Sequence, residues 1–206
     1  MESPPRKTYL LSEEYLALDR AAEFRYEFYD GQMFRVGDPP RAFDGASLQR
    51  NRIAGNLYSA VRHQFKDGRF EAFLSDIRVA LDRKEFAYPD LVIISGKPEL
   101  FPDRFRLDCL LNPRVIIEIL PNFAVDWDWG HRFNHYQRHP SFQQYVLISQ
   151  DAPAIAQFDR QADHTWVRTD IAWPDGVLTL DSVGVAISLP DIYFKALPID
   201  QRFERH

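Results

Sequence analysis

The run Val115-Ile116-Ile117-Glu118-Ile119-Leu120 constrains this chain more than any other stretch. Five aliphatic residues around one acid are too short and too β-branched for a surface helix, and they read as a buried strand. The acid is what makes the run informative. An unpaired charge among aliphatic neighbours costs several kcal/mol, so Glu118 needs a partner from elsewhere in the chain. A second run of the same kind, Leu91-Val92-Ile93-Ile94, follows Tyr88-Pro89-Asp90 and places another carboxylate at the head of a buried strand. Two ways of compensating Glu118 follow: a metal ion shared with Asp90, or a cation from the segment Asp128 to Tyr136. In that segment Arg132 could supply the guanidinium, and Arg114, just before the run itself, is the other candidate for a buried pair, since buried charges are usually paired.

The remaining elements can be placed around these two strands. Leu11-Ser12-Glu13-Glu14-Tyr15-Leu16 carries a hydroxyl, first-turn acids and apolar residues, the pattern of a short helix ending near Asp19. Phe24 to Tyr29 and Gln32 to Val36 flank Asp30-Gly31, a dipeptide that favours a tight hairpin. From Phe43 to Lys66, apolar residues recur at Leu48, Ile53, Leu57, Ala60, Val61 and Phe65, which predicts the longest helix. Phe70 to Asp76 and Ile77 to Leu81 read as adjacent or continuous strands, and Gly96 to Pro113 as a loop. Asp128 is expected to cap a helix that Pro140 stops. Gln144 to Ile148 is a further strand, Ala154 to Phe158, Thr165 to Thr169 and Val177 to Leu180 form a C-terminal meander, and Leu189 to Phe194 ends in a short helix.

With 206 residues, of which 45% are apolar, the chain suits one α/β or α+β domain spanning residues 1–206 with an ordered core at about 12–195. A single cysteine, Cys109, excludes an intrachain disulfide and fits a reducing cytosol. No apolar run is long enough to cross a bilayer, and Met1 to Lys7 lacks the apolar core of a signal peptide, so a soluble cytoplasmic protein is expected. A formal charge of -5 argues against coating nucleic acid by general electrostatics. Local basic patches are still compatible with it. Arg50, Arg52, Arg62, His63 and Lys66 could meet phosphate on one face of the long helix, against the simpler reading of a solvated face.

Three features have plain structural readings. His131, His135 and His139 recur at helical spacing, and the first two are spaced to bind Zn2+; surface or core histidines are the simpler account, because the acid of a zinc-protease motif is missing. Asp126 and Asp128 read as loop and cap. Phe158, Trp166 and Trp173 read as core or dimer contacts rather than base-stacking platforms.

In order along the chain, Arg25-Tyr26-Glu27 with Asp30-Gly31, Arg52-Ile53 with Gly55-Asn56-Leu57, Leu74-Ser75-Asp76 with Arg78-Val79, and Tyr88-Pro89-Asp90 are followed by Leu111-Asn112-Pro113, Glu118 with Leu120, Asp128 with Gly130 and Phe133, and Gln144-Tyr145-Val146-Leu147. This series resembles the Uma-two family, a large bacterial group regarded as nucleases with a restriction-endonuclease-like, PD-(D/E)XK fold. The resemblance runs from about Ser12 to Phe194. It implies a mixed sheet flanked by helices, with Asp90 and Glu118 as ligands of Mg2+ or Mn2+ and the carbonyl of Ile119 as a further ligand. Glu27 and Asp76 fall where the family usually has acids, and both would assist by completing the acidic cluster. The implied reaction is phosphodiester hydrolysis in DNA, with a homodimer expected by analogy with the fold.

The sequence departs from the family pattern in several places. Leu120 occupies the lysine position of the parent fold, and Arg132 stands on the following helix where relatives carry lysine. Arg50 replaces a frequent histidine, and Leu120 to Ala124 lacks a Ser-Pro-Ser-Thr run. Arginine stays charged and can stabilise developing charge, but it cannot act as a proton acceptor. The rival expectation is therefore a binding or regulatory module on a decayed nuclease scaffold, with Glu118 paired to Arg132.

Overall fold

The computed structural model describes residues 9–36, 47–81, 84–102, 109–120 and 128–197, apart from the side chains at 128, 129 and 131. The expected chain break after the hairpin (Gly37 to Pro40), residues 43–46 ahead of the long helix, Asp126 and the segment 121–124 lie outside that set, as do the side chains of Asp128 and His131. In chain order the elements are α1 (Ser12–Ala21), β1 (Tyr26–Tyr29), β2 (Gln32–Arg35), α2 (Leu48–Gln64), β3 (Phe70–Leu74), β4 (Arg78–Ala80), β5 (Phe86–Ala87), β6 (Leu91–Ser95), β7 (Cys109–Leu110), β8 (Pro113–Leu120), α3 (Asp128–Tyr136), β9 (Gln144–Ser149), β10 (Ala154–Arg160), β11 (Trp166–Ala172), β12 (Val177–Leu180), β13 (Val185–Ser188) and α4 (Leu189–Ile192).

They form a mixed α+β fold. A six-stranded sheet has the order β11-β10-β9-β8-β6-β3, a five-stranded sheet the order β2-β1-β5-β4-β7, and β12 and β13 pair as a hairpin. β8 is antiparallel to β6 and parallel to β9, with α3 between β8 and β9 in sequence.

Strand alternation decides where Glu118 points. Successive side chains of a strand face opposite sides of its sheet. Ile117 and Ile119 join one core with Ile53, Leu57 and Val61 of α2, all fully buried, while Ile116 and Leu120 join a second core with Tyr136 of α3, Tyr145 and Leu147. Glu118 shares the parity of Ile116 and Leu120, so it faces α3. The three α2 residues recur every four positions, which is why one face of that helix covers the sheet. Ser47 caps α2, its hydroxyl accepting the Arg50 N–H at 3.0 Å.

The hairpin forms as expected. Asp30 and Gly31 both have positive φ, 47° and 77°, the pair of left-handed conformations a tight I′ turn requires. Phe158 is a core residue and Trp166, partly buried, packs against the same core: the Phe133 ring lies 4.9 Å from Phe158 and 5.1 Å from Trp166, and Trp173 packs on the α2 side. The stretch Phe70 to Leu81 differs from expectation. β3 and β4 do not pair or continue one another, because the turn closed by the Ile77 N–H on the Leu74 carbonyl sends β4 into the five-stranded sheet. Within the expected loop of Gly96 to Pro113, Cys109–Leu110 forms a two-residue strand parallel to β4. The C-terminal meander is likewise interrupted, with β12 leaving β11 to pair with β13.

Candidate active site

Three carboxylates meet where the two large sheets approach one another. Glu118 comes from the middle of β8, and Asp90 sits one step before β6, next to the Leu91–Ile117 pair of the β6–β8 ladder. Glu27 reaches in from β1 of the other sheet. Relative exposures of 1% for Glu27, 4% for Asp90 and 1% for Glu118 mean that none of these charges can rely on water.

Two guanidinium groups compensate them. Arg132 of α3 is itself buried and bridges two acids, with Nη2 at 3.0 Å from Glu27 Oε2 and Nη1 at 3.3 Å from Glu118 Oε1. The Tyr136 hydroxyl, one turn further along the helix, donates to the same Glu118 oxygen at 2.8 Å. Arg50 of α2 holds Asp90 Oδ1 through Nε at 2.9 Å and Nη2 at 2.7 Å, and Asp90 Oδ2 accepts the Ile119 N–H at 2.8 Å. The Tyr88 N–H donates to Glu27 Oε1 at 3.2 Å. In a strand the N–H and C=O of one residue point to the same side, so the Ile119 carbonyl is directed toward the Asp90 side of β8.

Of the residues singled out from sequence, Glu27, Asp90, Glu118, Arg132, Ile119 and Arg50 come together here. Asp76 does not join them: its side chain is 93% exposed and pairs with Arg25 at 2.5 Å. Arg52 also stands apart, donating to the Lys195 carbonyl at 2.7 Å and so tying α2 to the end of α4. Of the histidine series, the His131 side chain lies outside the described residues, so only His135 and His139 can be placed. His135 contacts Glu85, and His139 Nδ1 lies 3.0 Å from the Ser141 hydroxyl. The role of Tyr136 went unread in the sequence, although its position four residues after Arg132 puts both on one helix face.

Compensation of the acids is incomplete. Burial pushes the Glu118 carboxyl up to about 7, Arg132 opposes that shift, and the charges of Asp90 and Glu27 reinforce it. Burial works against the charge on Arg132, but Glu27 and Glu118 outweigh it and hold its pKa well above the ordinary value. The linkage sign follows. Glu118 has a folded pKa above its unfolded one, so its contribution is fully present below about pH 4.5 and is lost as pH rises toward about 7, a loss of roughly 3 kcal/mol. In metal-free protein, Glu118→Gln is expected to remove that component. Urea unfolding across this window should give a flatter pH profile for the variant and higher stability above neutrality; parallel profiles would contradict it.

A cavity of about 620 Å³ opens beside the cluster, lined among others by Arg25, Ser47, Arg50, Asn51, Tyr88 and Asp90. Asp90 and Arg50 thus face an accessible space, with Glu118 and Arg132 buried behind them. As a donor set, Asp90, Glu118 and the Ile119 carbonyl offer only oxygen, which suits a hard divalent cation. Among the described residues, three carboxylates and two guanidinium groups meet here. The residues therefore fit such an ion, with Arg132 and Arg50 as its built-in competitors.

The sequence pattern of the Uma2 family, described as "Putative restriction endonuclease", matches residues 12–190. The chain belongs to the Uma2 family. It is similar to two Synechocystis proteins, each named only as uncharacterized: sll1609, 29% identical over 79% of this chain and 87% of the relative, and slr1290, 25% identical over 89% and 91%. The fold is similar to that of a crystal structure described as a "putative nuclease belonging to DUF820" from Anabaena variabilis, with a TM-score of 0.69, 19% identity and coverage of 91% of this chain and 99% of that one. The Uma2 match and this structural likeness establish a nuclease-type, restriction-endonuclease-like fold. Among the described residues of this Uma2 chain, no helix is long and apolar enough to cross a membrane.

Proposed function

We propose that this chain hydrolyses phosphodiester bonds in DNA with Mg2+ or Mn2+ held by Asp90, Glu118 and the Ile119 carbonyl. The observation that carries the reading is the convergence of Glu27, Asp90 and Glu118 beside an accessible cavity, with burial holding the Glu118 carboxyl above its ordinary range despite Arg132. When bound, the cation supplies a water of lowered pKa and neutralises charge on the scissile phosphate. Arg50, which lines the cavity beside Asp90, would meet a phosphate oxygen. Glu27 holds Arg132 in place, and Arg132 offers positive charge to the transition state. A homodimer would present two such sites to the two strands of a duplex.

The test is cleavage of plasmid and single-stranded DNA with Mg2+ or Mn2+. Glu118→Gln and Asp90→Asn are each expected to lower cleavage by about 100-fold or more, as loss of a charge-stabilising group usually does. Cleavage that survives both substitutions would remove these residues from the reaction.

One observation favours a second reading, a binding or regulatory module: Arg132 already bridges Glu27 and Glu118 where an ion would compete with it. Calorimetric titration with Mg2+ separates the two readings, since the module predicts no binding. Arg132→Lys adds the converse test, because increased cleavage would identify the arginine as a brake on an intact site.

A further inference from the structure

We propose that Asp30, Glu85 and His135 form a second cation site, separate from the three-carboxylate cluster and suited to a first-row transition ion such as Zn2+ or Co2+. The three residues come from elements that the fold brings together for other reasons. Asp30 occupies the hairpin turn, where its positive φ of 47° is one that aspartate tolerates better than most residues. Glu85 lies one step before the Phe28–Phe86 pair that joins β5 to β1, which puts it beside the end of β1. His135 sits in the last turn of α3 with its ring 5.0 Å from that of Tyr29.

The distances distinguish the two ring nitrogens of His135. Nδ1 is 2.6 Å from Glu85 Oε2, and Nε2 is 3.9 Å from Asp30 Oδ2. A donor atom from each residue lies within 4.8 Å of the other two. A carboxylate accepts, so Nδ1–H donates to Glu85, and in the neutral imidazole the Nε2 lone pair is then turned toward the Asp30 carboxylate. At 3.9 Å that second contact is too long for a hydrogen bond. It suits two ligands of one ion, each bonded at about 2.0–2.2 Å. A carboxylate behind a ligating histidine is the arrangement that orients the ring and raises its basicity in metal sites. An imidazole in the donor set favours Zn2+, Co2+ or Ni2+ over Mg2+ and Ca2+.

Burial and access are divided in the same way. The His135 side chain is 4% exposed and that of Glu85 10%, so the orienting pair is fixed, whereas the Asp30 side chain is 69% exposed and leaves a path for the ion and its waters. The site would also clamp α3. Glu27 and Asp30 are three residues apart on the hairpin, Arg132 and His135 three apart on the helix, and the contacts run Glu27 to Arg132 and Asp30 to His135. An ion at the second rung would hold the helix that carries Arg132 against β1.

Cobalt(II) titration of the full chain, followed by visible absorption and by the paramagnetically shifted imidazole N–H resonance, tests this site. One equivalent is expected to bind with that imidazole signal. Asp30→Asn, which keeps a residue at ease in the turn and removes the charge, should weaken binding by about 10- to 100-fold, and His135→Gln should abolish the imidazole signal. Asp90→Asn should leave the signal intact. The proposal is overturned if Co2+ gives no imidazole signal, if Asp30→Asn binds as tightly as the native chain, or if Asp90→Asn removes the signal. Because the Asp30 variant changes only an exposed side chain, it decides the matter even if the His135 variant does not fold.

Discussion

Replacing Arg132 with methionine is expected to destabilise the metal-free protein by about 3–5 kcal/mol at mildly alkaline pH, the usual cost of stripping one partner from a buried ion pair. Methionine fills similar space but removes the charge and the N–H donors, so Glu27 and Glu118 are left facing one another with the Tyr88 N–H and the Tyr136 hydroxyl as their remaining contacts named above. The loss should depend on pH. Without the guanidinium that now lowers it, the folded pKa of Glu118 climbs further, so the penalty grows as pH rises and shrinks as Glu118 takes up a proton. Thermal unfolding at mildly acidic and mildly alkaline pH measures the difference. Added Mn2+ should recover part of the alkaline loss by occupying the vacated position. An equal loss at both pH values would mean that Arg132 contributes packing alone.

Asp19→Ala should cost a similar amount, about 3–5 kcal/mol, lowering Tm by on the order of 10 °C for a chain of this size. Asp19 was expected only to mark the end of the first helix. Its carboxylate in fact accepts from the Arg78 guanidinium, from the Tyr88 hydroxyl at 2.9 Å and from the Tyr26 N–H at 2.7 Å. Arg78 and Asp19 side chains are 4% and 3% exposed, so the substitution strands a charge rather than exposing it. Burial pushes the Tyr88 phenol up to about 12, so it stays a neutral donor. Because Tyr88 stands two residues before Asp90 and its N–H holds Glu27, the variant should also loosen the carboxylate cluster and slow cleavage. Arg78→Met added to Asp19→Ala should recover much of the stability by removing the stranded charge, which a double-mutant cycle measures. Additive losses would show that the pair is not coupled.

The parts of the fold that could be read from sequence are those decided by local pattern. β8 and β6 announce themselves as unbroken aliphatic runs, the hairpin by Asp30-Gly31, and α2 by its four-residue spacing. Glu118 was conspicuous because a carboxylate in such a run has to be answered, and Arg132 was among the few cations able to answer it. What stayed hidden depends on distant pairing. Nothing in Leu74-Ser75-Asp76-Ile77 marks the switch from one sheet to the other, so Asp76 looked like a companion of Asp90 but ends at the surface with Arg25. β7 is two residues long and carries no periodicity. Arg50 was read as a phosphate contact, and its grip on Asp90 appears only when α2 is laid across the end of β6. His135 offered a zinc spacing with His131, whereas its short contact is with Glu85, fifty residues away.

Parallel pairing of β8 with β9 through α3 also bears on the order in which the cluster assembles. Glu118, Arg132 and Tyr136 all lie within the single crossover from Pro113 to Ser149, so their contacts close a short loop, whereas Glu27 and Asp90 must arrive from far earlier in the chain. Short loops close at a lower entropic cost and favour early formation. The guanidinium can thus shield the most deeply set acid while the rest of the pocket is still incomplete. A nascent chain then avoids the stage at which a bare carboxylate would resist being drawn into an apolar interior.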